Sequence, residues 1–165
     1  MHSARFNATW LAALTMTFLF GNANAADDKA ALAGLKEVKV AYDIKEGDPK
    51  ALMSRLDAIE ETRQSLIAQG VKPHFILAFR GPATKLLQTD AEMMKPEYRA
   101  DAAKVAEKVK QMSAADGVDG FEQCALAVKT QGTKVEKVLP EIRVVGNGFI
   151  SLMAYQAKGY AYIAP

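Results

Sequence analysis

The chain has 165 residues, half of them hydrophobic, with 21 Lys+Arg against 19 Asp+Glu, a formal net charge of +2 and one cysteine. That length suits one domain with a substantial core, and near-balanced charge excludes both an intrinsically disordered chain and a strongly basic nucleic-acid binder. A single Cys rules out an internal disulfide, and the absence of any Cys/His cluster rules out a structural zinc module.

Residues 1–25 contain no acid, one early cation (Arg5), an apolar run from Trp10 to Phe20, and then Gly21-Asn22-Ala23-Asn24-Ala25. Small residues at Ala23 and Ala25 are what a signal peptidase requires, so this segment reads as a Sec-type signal peptide cut after Ala25. The apolar run is about half the roughly 20 residues needed to cross a bilayer, so no stable membrane anchor is expected after cleavage. No second arginine accompanies Arg5, against a twin-arginine signal. The expected location is periplasmic or secreted. In such an oxidising compartment a free thiol is reactive, so a lone cysteine points to burial or to use.

Residues 26–36 are Ala-rich and charged and read as a flexible lead-in. Val38, Val40, Tyr42 and Ile44 alternate as a first strand. Asp48 and Pro49 then supply a helix cap and a first helical residue. Leu52, Leu56, Ile59 and Leu66 continue at helical spacing until Gly70, which is suited to the left-handed cap. Pro73 to Phe79 is almost continuously apolar, as in a central parallel strand covered on both faces. Gly81-Pro82 ends it, and 83–88 reads as a short helix. Tyr98, Ala102, Val105, Val109 and Met112 mark a long amphipathic helix. Phe121 to about Ala125 reads as a third strand with a weak pattern and Glu141–Val145 as a clearer one, closed by Gly146-Asn147-Gly148. A helix from Phe149 to Lys158 and a last strand at Tyr160–Ile163 complete the chain. Alternating strands and helices predict one α/β domain over 37–165, with a mostly parallel sheet of about five strands and helices on both faces.

In an open parallel sheet, ligands bind beyond the carboxyl ends of the strands. Four segments fall there: Asp43–Gly47, Arg80-Gly81-Pro82, the region of Cys124, and Asn147-Gly148. Their gathering on one rim would set the only thiol beside a guanidinium and several glycine turns. A helix starting at Cys124 would favour its thiolate. Gly146-x-Gly148 lacks the third glycine of a dinucleotide fingerprint, and no phosphate-loop motif occurs, so no cofactor and no metal are expected. His74, the one histidine left after processing, stands at the start of a buried strand and reads as structural. The acidic residues read as solvated helix faces. Tyr155, Tyr160 and Tyr162 read as core or subunit interface. From the residues alone, Cys124 divides evenly between inert packing and function.

The stretch Asn147-Gly148-Phe149-Ile150-Ser151-Leu152-Met153-Ala154-Tyr155-Gln156, continuing to Gly159-Tyr160-Ala161-Tyr162 and Pro165, resembles the closing signature of the DsrE/DsrF-like family. Phe79-Arg80-Gly81-Pro82-Ala83 and Tyr42-Asp43 through Gly47-Asp48-Pro49 are similar to that family's second- and first-strand turns, so the resemblance spans roughly Val38 to Pro165. It implies a three-layer α/β sandwich, assembled as a homo-oligomer such as a trimer or hexamer. It also implies a sulfurtransferase-like carrier in which Cys124 holds a sulfane sulfur as a persulfide. The implied partners are small sulfur species or a partner protein thiol. On the rim of the sheet, Arg80, followed by Gly81, would attract the anionic sulfur species, and the loop amides at Asp43–Gly47 and Asn147–Gly148 would help hold them. Many relatives carry Asn two positions after the cysteine, where this chain has Leu126. The alternative is a non-catalytic oligomeric binding or scaffold protein of the same fold with a buried structural cysteine. The sulfur reading requires the Cys124 sulfur to be reachable from solvent.

Overall fold

Residues 27–165 are described in a computed structural model; the expected signal peptide, 1–25, with its cut after Ala25, lies outside the described residues. A single helical turn, α1 (Lys29–Leu32), buries nothing. The first strand, β1 (Glu37–Ile44), leads through the 45–48 loop into α2 (Pro49–Ala68). The start of α2 follows from its sequence: the Asp48 carboxylate accepts hydrogen bonds from the backbone N–H groups of Lys50 (3.0 Å) and Ala51 (2.9 Å), and Pro49 occupies the first position. Such a cap contributes about 1 kcal/mol. At the other end Gly70, with φ +78°, donates to the Ile67 carbonyl while Val71 donates to that of Leu66, the paired closure that a left-handed glycine permits.

β2 (Lys72–Phe79), α3 (Arg99–Ser113), β3 (Val118–Cys124), α4 (Ala125–Thr130), β4 (Ile142–Val145), α5 (Gly148–Ala157) and β5 (Ala161–Ile163) follow. The segment after β2, read as a short helix over 83–88, is a 3-10 turn at Gly81–Lys85. β3 begins three residues before the expected Phe121. There the pairing with β2 jumps from Phe75–Val118 to Ile76–Gly120, so Asp119 is an extra residue that breaks the alternation. α4 has six residues, too few to display a period in the sequence. No helix among the described residues is long and apolar enough to cross a membrane.

The five strands form one all-parallel sheet in the order β4-β3-β2-β1-β5. The chain steps in one direction from β1 to β4, then α5 carries it back across to the far side of β1. Right-handed crossovers in opposite directions put their helices on opposite faces. α2 and α3 accordingly pack with Tyr42, Phe75, Leu77, Phe79 and Phe121 in the main core, to which α4 adds Val128. α5 packs on the other face through Leu152 over Ala41 and Ala78, small residues that let the helix approach closely. The result is a three-layer α/β sandwich whose third layer is a single helix. The chain leaves β3 toward one face and β4 toward the other, so the crevice between their carboxyl ends is the switch point of the sheet. Cys124 is the last residue of β3.

Candidate functional site around Cys124

Parallel pairing places the carboxyl ends of β1 to β4 on one rim, as the four segments required. Asp43 and Arg80 meet there because Asp43 pairs with Ala78 across β1 and β2, and Arg80 follows two residues later on the same face. The buried Asp43 carboxylate accepts from Arg80 Nε at 2.8 Å and Nη2 at 2.5 Å, and from the Tyr162 hydroxyl at 2.7 Å, with Lys45 Nζ 3.8 Å away. Burial works against this charge. The hydrogen bonds from Arg80 and Tyr162, with the positive charges of Arg80 and Lys45, outweigh it and hold the Asp43 carboxyl below the usual aspartate range. The bond to Asp43, reinforced by partial burial, raises the Tyr162 hydroxyl in turn. The Asp43 side chain is thus fully engaged in fixing Arg80, and its negative charge is unsuited to contact an anion directly.

The Arg80 guanidinium lies 4.1 Å from the centre of the Phe149 ring, a cation–π contact at the start of α5. Beside it, Cys124 holds the position that opens α4 but caps nothing there. Its Sγ instead accepts the backbone N–H of Gly148 at 3.2 Å. The helix that presents its positive end to the sulfur is therefore α5, 24 residues on, rather than α4. Gly148 fits because it has no side chain: a Cβ at this position would lie 2.6 Å from Arg80 Cδ and 3.0 Å from Cys124 Cβ. Arg80 is tethered by Asp43 and has little freedom to yield. Gly148→Ala is expected to cost about 1–3 kcal/mol through overpacking, read as a lowered urea midpoint with an unchanged slope.

Of the residues expected at the site, Asp43, Arg80 and Gly148 converge around Cys124. The Asn147 side chain serves as the α5 cap, accepting from Phe149 N at 2.9 Å. Gly81, with φ +53°, makes the turn after Arg80, and its carbonyl accepts the Thr84 hydroxyl at 2.8 Å. Cys124 is only 4% exposed. The requirement of an open sulfur is therefore not met by this conformation: Gly148 lies against it, and Phe149 lies over the Arg80 guanidinium on the same rim. His74 sits at the opposite end of the sheet, with Nδ1 3.1 Å from Asp119 and Nε2 3.8 Å from Glu37, so no Cys–His pair forms.

A second polar cluster lies on the α5 face, where the sequence suggested only solvated acids. The buried Glu122 carboxylate accepts from the Tyr155 hydroxyl at 2.7 Å, from the Ser151 hydroxyl and from Arg143 Nη2. Burial, with the bond to Glu122, pushes the Tyr155 hydroxyl up to about 12. The signal available in the sequence was the four-residue spacing of Ser151 and Tyr155, which puts both hydroxyls on one side of α5. Nothing in the sequence aims that side at Glu122.

No protein-family model matches the chain. It is 25% identical over 126 residues to an uncharacterized protein of Aquifex aeolicus (strain VF5), a match covering 76% of this chain and 55% of that protein. The chain thus spans about half the length of the curated relative it matches. The solved structure of a protein of unknown function from Methanobacterium thermoautotrophicum superimposes with a TM-score of 0.55 at 20% identity, covering 78% of this chain and 99% of that one. What this chain shares with that structure is an α/β fold.

Proposed function

We propose that this is an exported, homo-oligomeric sulfur carrier that works through Cys124. The observation that carries the reading is the Gly148 N–H directed at Sγ from the start of α5, with the clamped Arg80 guanidinium alongside. An amide donor and a neighbouring cation are the partners a sulfur anion needs. In the uptake step, the Cys124 thiolate attacks the outer sulfur of thiosulfate. The new S–S bond forms as the old one breaks, leaving a Cys124 persulfide anion and sulfite. In the delivery step, a partner thiolate attacks the outer persulfide sulfur, regenerating the Cys124 thiolate and leaving the persulfide on the partner. Arg80 draws in the anionic donor, and Phe149, 56% exposed, is the cover that must swing aside. Assembly of several copies fits the exposed apolar residues Phe149, Ile150, Met153, Tyr162 and Ile163 along α5 and β5.

Intact-mass measurement after thiosulfate or polysulfide treatment tests the proposal. One added sulfur atom is expected on the wild type and none on Cys124→Ser; an unmodified wild type, or equal labelling of both, overturns it. The 4% exposure of Cys124 favours one competing reading, a non-catalytic binding or scaffold protein with a structural cysteine. That reading requires alkylation of the thiol only after denaturation, whereas the carrier must react while folded.

A further inference from the structure

The inward stripe of α5 is spent on the sheet: Gly148 on Cys124, Leu152 on Ala41 and Ala78, and the Ser151 and Tyr155 hydroxyls on Glu122. The opposite stripe, read at three- and four-residue steps, is Phe149, Ile150, Met153, Ala154 and Ala157, all exposed, with Gln156 at its border. A surface helix ordinarily turns charged and polar side chains to water there. Here Lys158, after the last turn, is the only charged side chain from Val144 to Pro165. β5 adds Tyr162 and Ile163, and it is the last strand of the sheet, paired on one side only among the described residues.

The two halves of this patch meet at the clamp, since the Phe149 ring lies over Arg80 and the Tyr162 hydroxyl donates to Asp43, which holds Arg80. Phe149, Ile150, Met153, Tyr162 and Ile163 are each between 42% and 61% exposed. At about 200 Å² for a large side chain, they leave roughly 500 Å² of apolar surface bare. The largest patch on a monomer is about 300–600 Å², and a stable complex covers about 800 Å² on each partner. The patch therefore supplies the larger part of one side of such a contact. Like charges would hold a second copy of the patch away from the first, but the stripe has none, and at the rim Arg80 and Lys45 are drawn to Asp43. Two copies thus offer each other the apolar cover that each lacks.

We infer that a second copy of this chain docks on the α5–β5 patch and that docking holds the Cys124 site shut. The inference rests on that part of the proposed function in which Cys124 reacts in the folded protein. Patch and site share their parts: Phe149 directly follows Gly148, whose N–H binds Cys124 Sγ at 3.2 Å. The covered sulfur is reached when Phe149 and the first turn of α5 move outward, a local opening of the fold. A copy packed on Phe149, Ile150 and Met153 binds the seated helix and not the lifted one, so it stabilises the closed site by mass action. The associated protein shields its sulfur from oxidants, and the separated copy is the form that reacts.

The test sets the association state of the purified protein, from sedimentation velocity over a dilution series, against the rate at which native Cys124 reacts with iodoacetamide. As concentration rises, association should rise and the alkylation rate should fall about tenfold. Met153→Glu places a carboxylate in the contact on each copy, so it should stay monomeric and keep the fast rate at every concentration. Ile150→Lys should behave in the same way, and retained NMR dispersion is the control for folding in both variants. Thiosulfate labelling is read separately. An unlabelled Cys124 whose alkylation still slows on association removes sulfur transfer and leaves the gating intact. A wild type that stays monomeric, including one that binds anionic lipid vesicles instead, would overturn the inference. So would oligomers that alkylate at a rate independent of concentration, or that survive both substitutions. A folded, monomeric Met153→Glu that never alkylates would overturn both readings.

Discussion

Asp43→Ala is expected to destabilise the protein by about 3–5 kcal/mol, because it strands the Arg80 guanidinium inside the fold without its partner. Both members of this pair are nearly inaccessible, with side-chain exposures of 0% and 10%, so water does little to screen the loss. The Tyr162 hydroxyl loses its acceptor in the same step, which loosens β5 from β1. Urea unfolding at neutral pH measures the effect; a change under about 1 kcal/mol would mean that the clamp does not stabilise the rim of the sheet. The pH dependence has a defined sign. The Asp43 carboxyl is held below its usual range when folded. Its contribution is thus complete above the unfolded aspartate value of about 3.9 and disappears as pH falls through the folded value. The stability difference between wild type and Asp43→Asn should accordingly shrink in acid below about pH 4 and stay constant from pH 5 to 8.

Phe79→Ala should be comparably severe, at about 3–5 kcal/mol. Phe79 is fully buried, with its ring stacked on Phe121 at 5.9 Å in the core under α2 and α3. Truncation opens a cavity that rigid strands on both sides cannot close, and it does so one residue before Arg80. Thermal and urea unfolding should both report the loss. Alkylation of Cys124 in the folded protein should also speed up, since the rim is built on the strand that is weakened. A variant with unchanged stability would show that β2 is not the central support of the sheet.

How far the site could be foreseen depended on the range of each contact. The Asp48 cap, the Pro49 start and the Gly70 stop of α2 are interactions within a few residues, and their signals lie side by side in the chain. The apolar run from Pro73 to Phe79 showed a strand buried on both faces, and β2 is the middle of five. The rim itself followed from the parallel order. The pairings at the rim did not, because Asp43 and Arg80 are 37 residues apart, Cys124 and the Gly148 amide 24, and Asp43 and Tyr162 119. An aspartate beside a loop carries no local sign that it will be consumed by an arginine on the next strand. Glu122 misled for a related reason: β3 is interrupted by the extra residue Asp119, which hides the alternation that assigns Glu122 to the sheet face beneath α5.

The order of the five strands and the three longer helices α2, α3 and α5, the α/β class and the position of the lone cysteine at the end of a strand were determined by the sequence itself, since periodicity, caps and breakers act locally. Tertiary structure alone decided that Asp43 locks Arg80, that α5 and not α4 meets the sulfur, and that Cys124 lies covered. Each of these depends on which strands become neighbours and on which face the returning helix lands, and those are properties of the assembled sheet rather than of any segment within it.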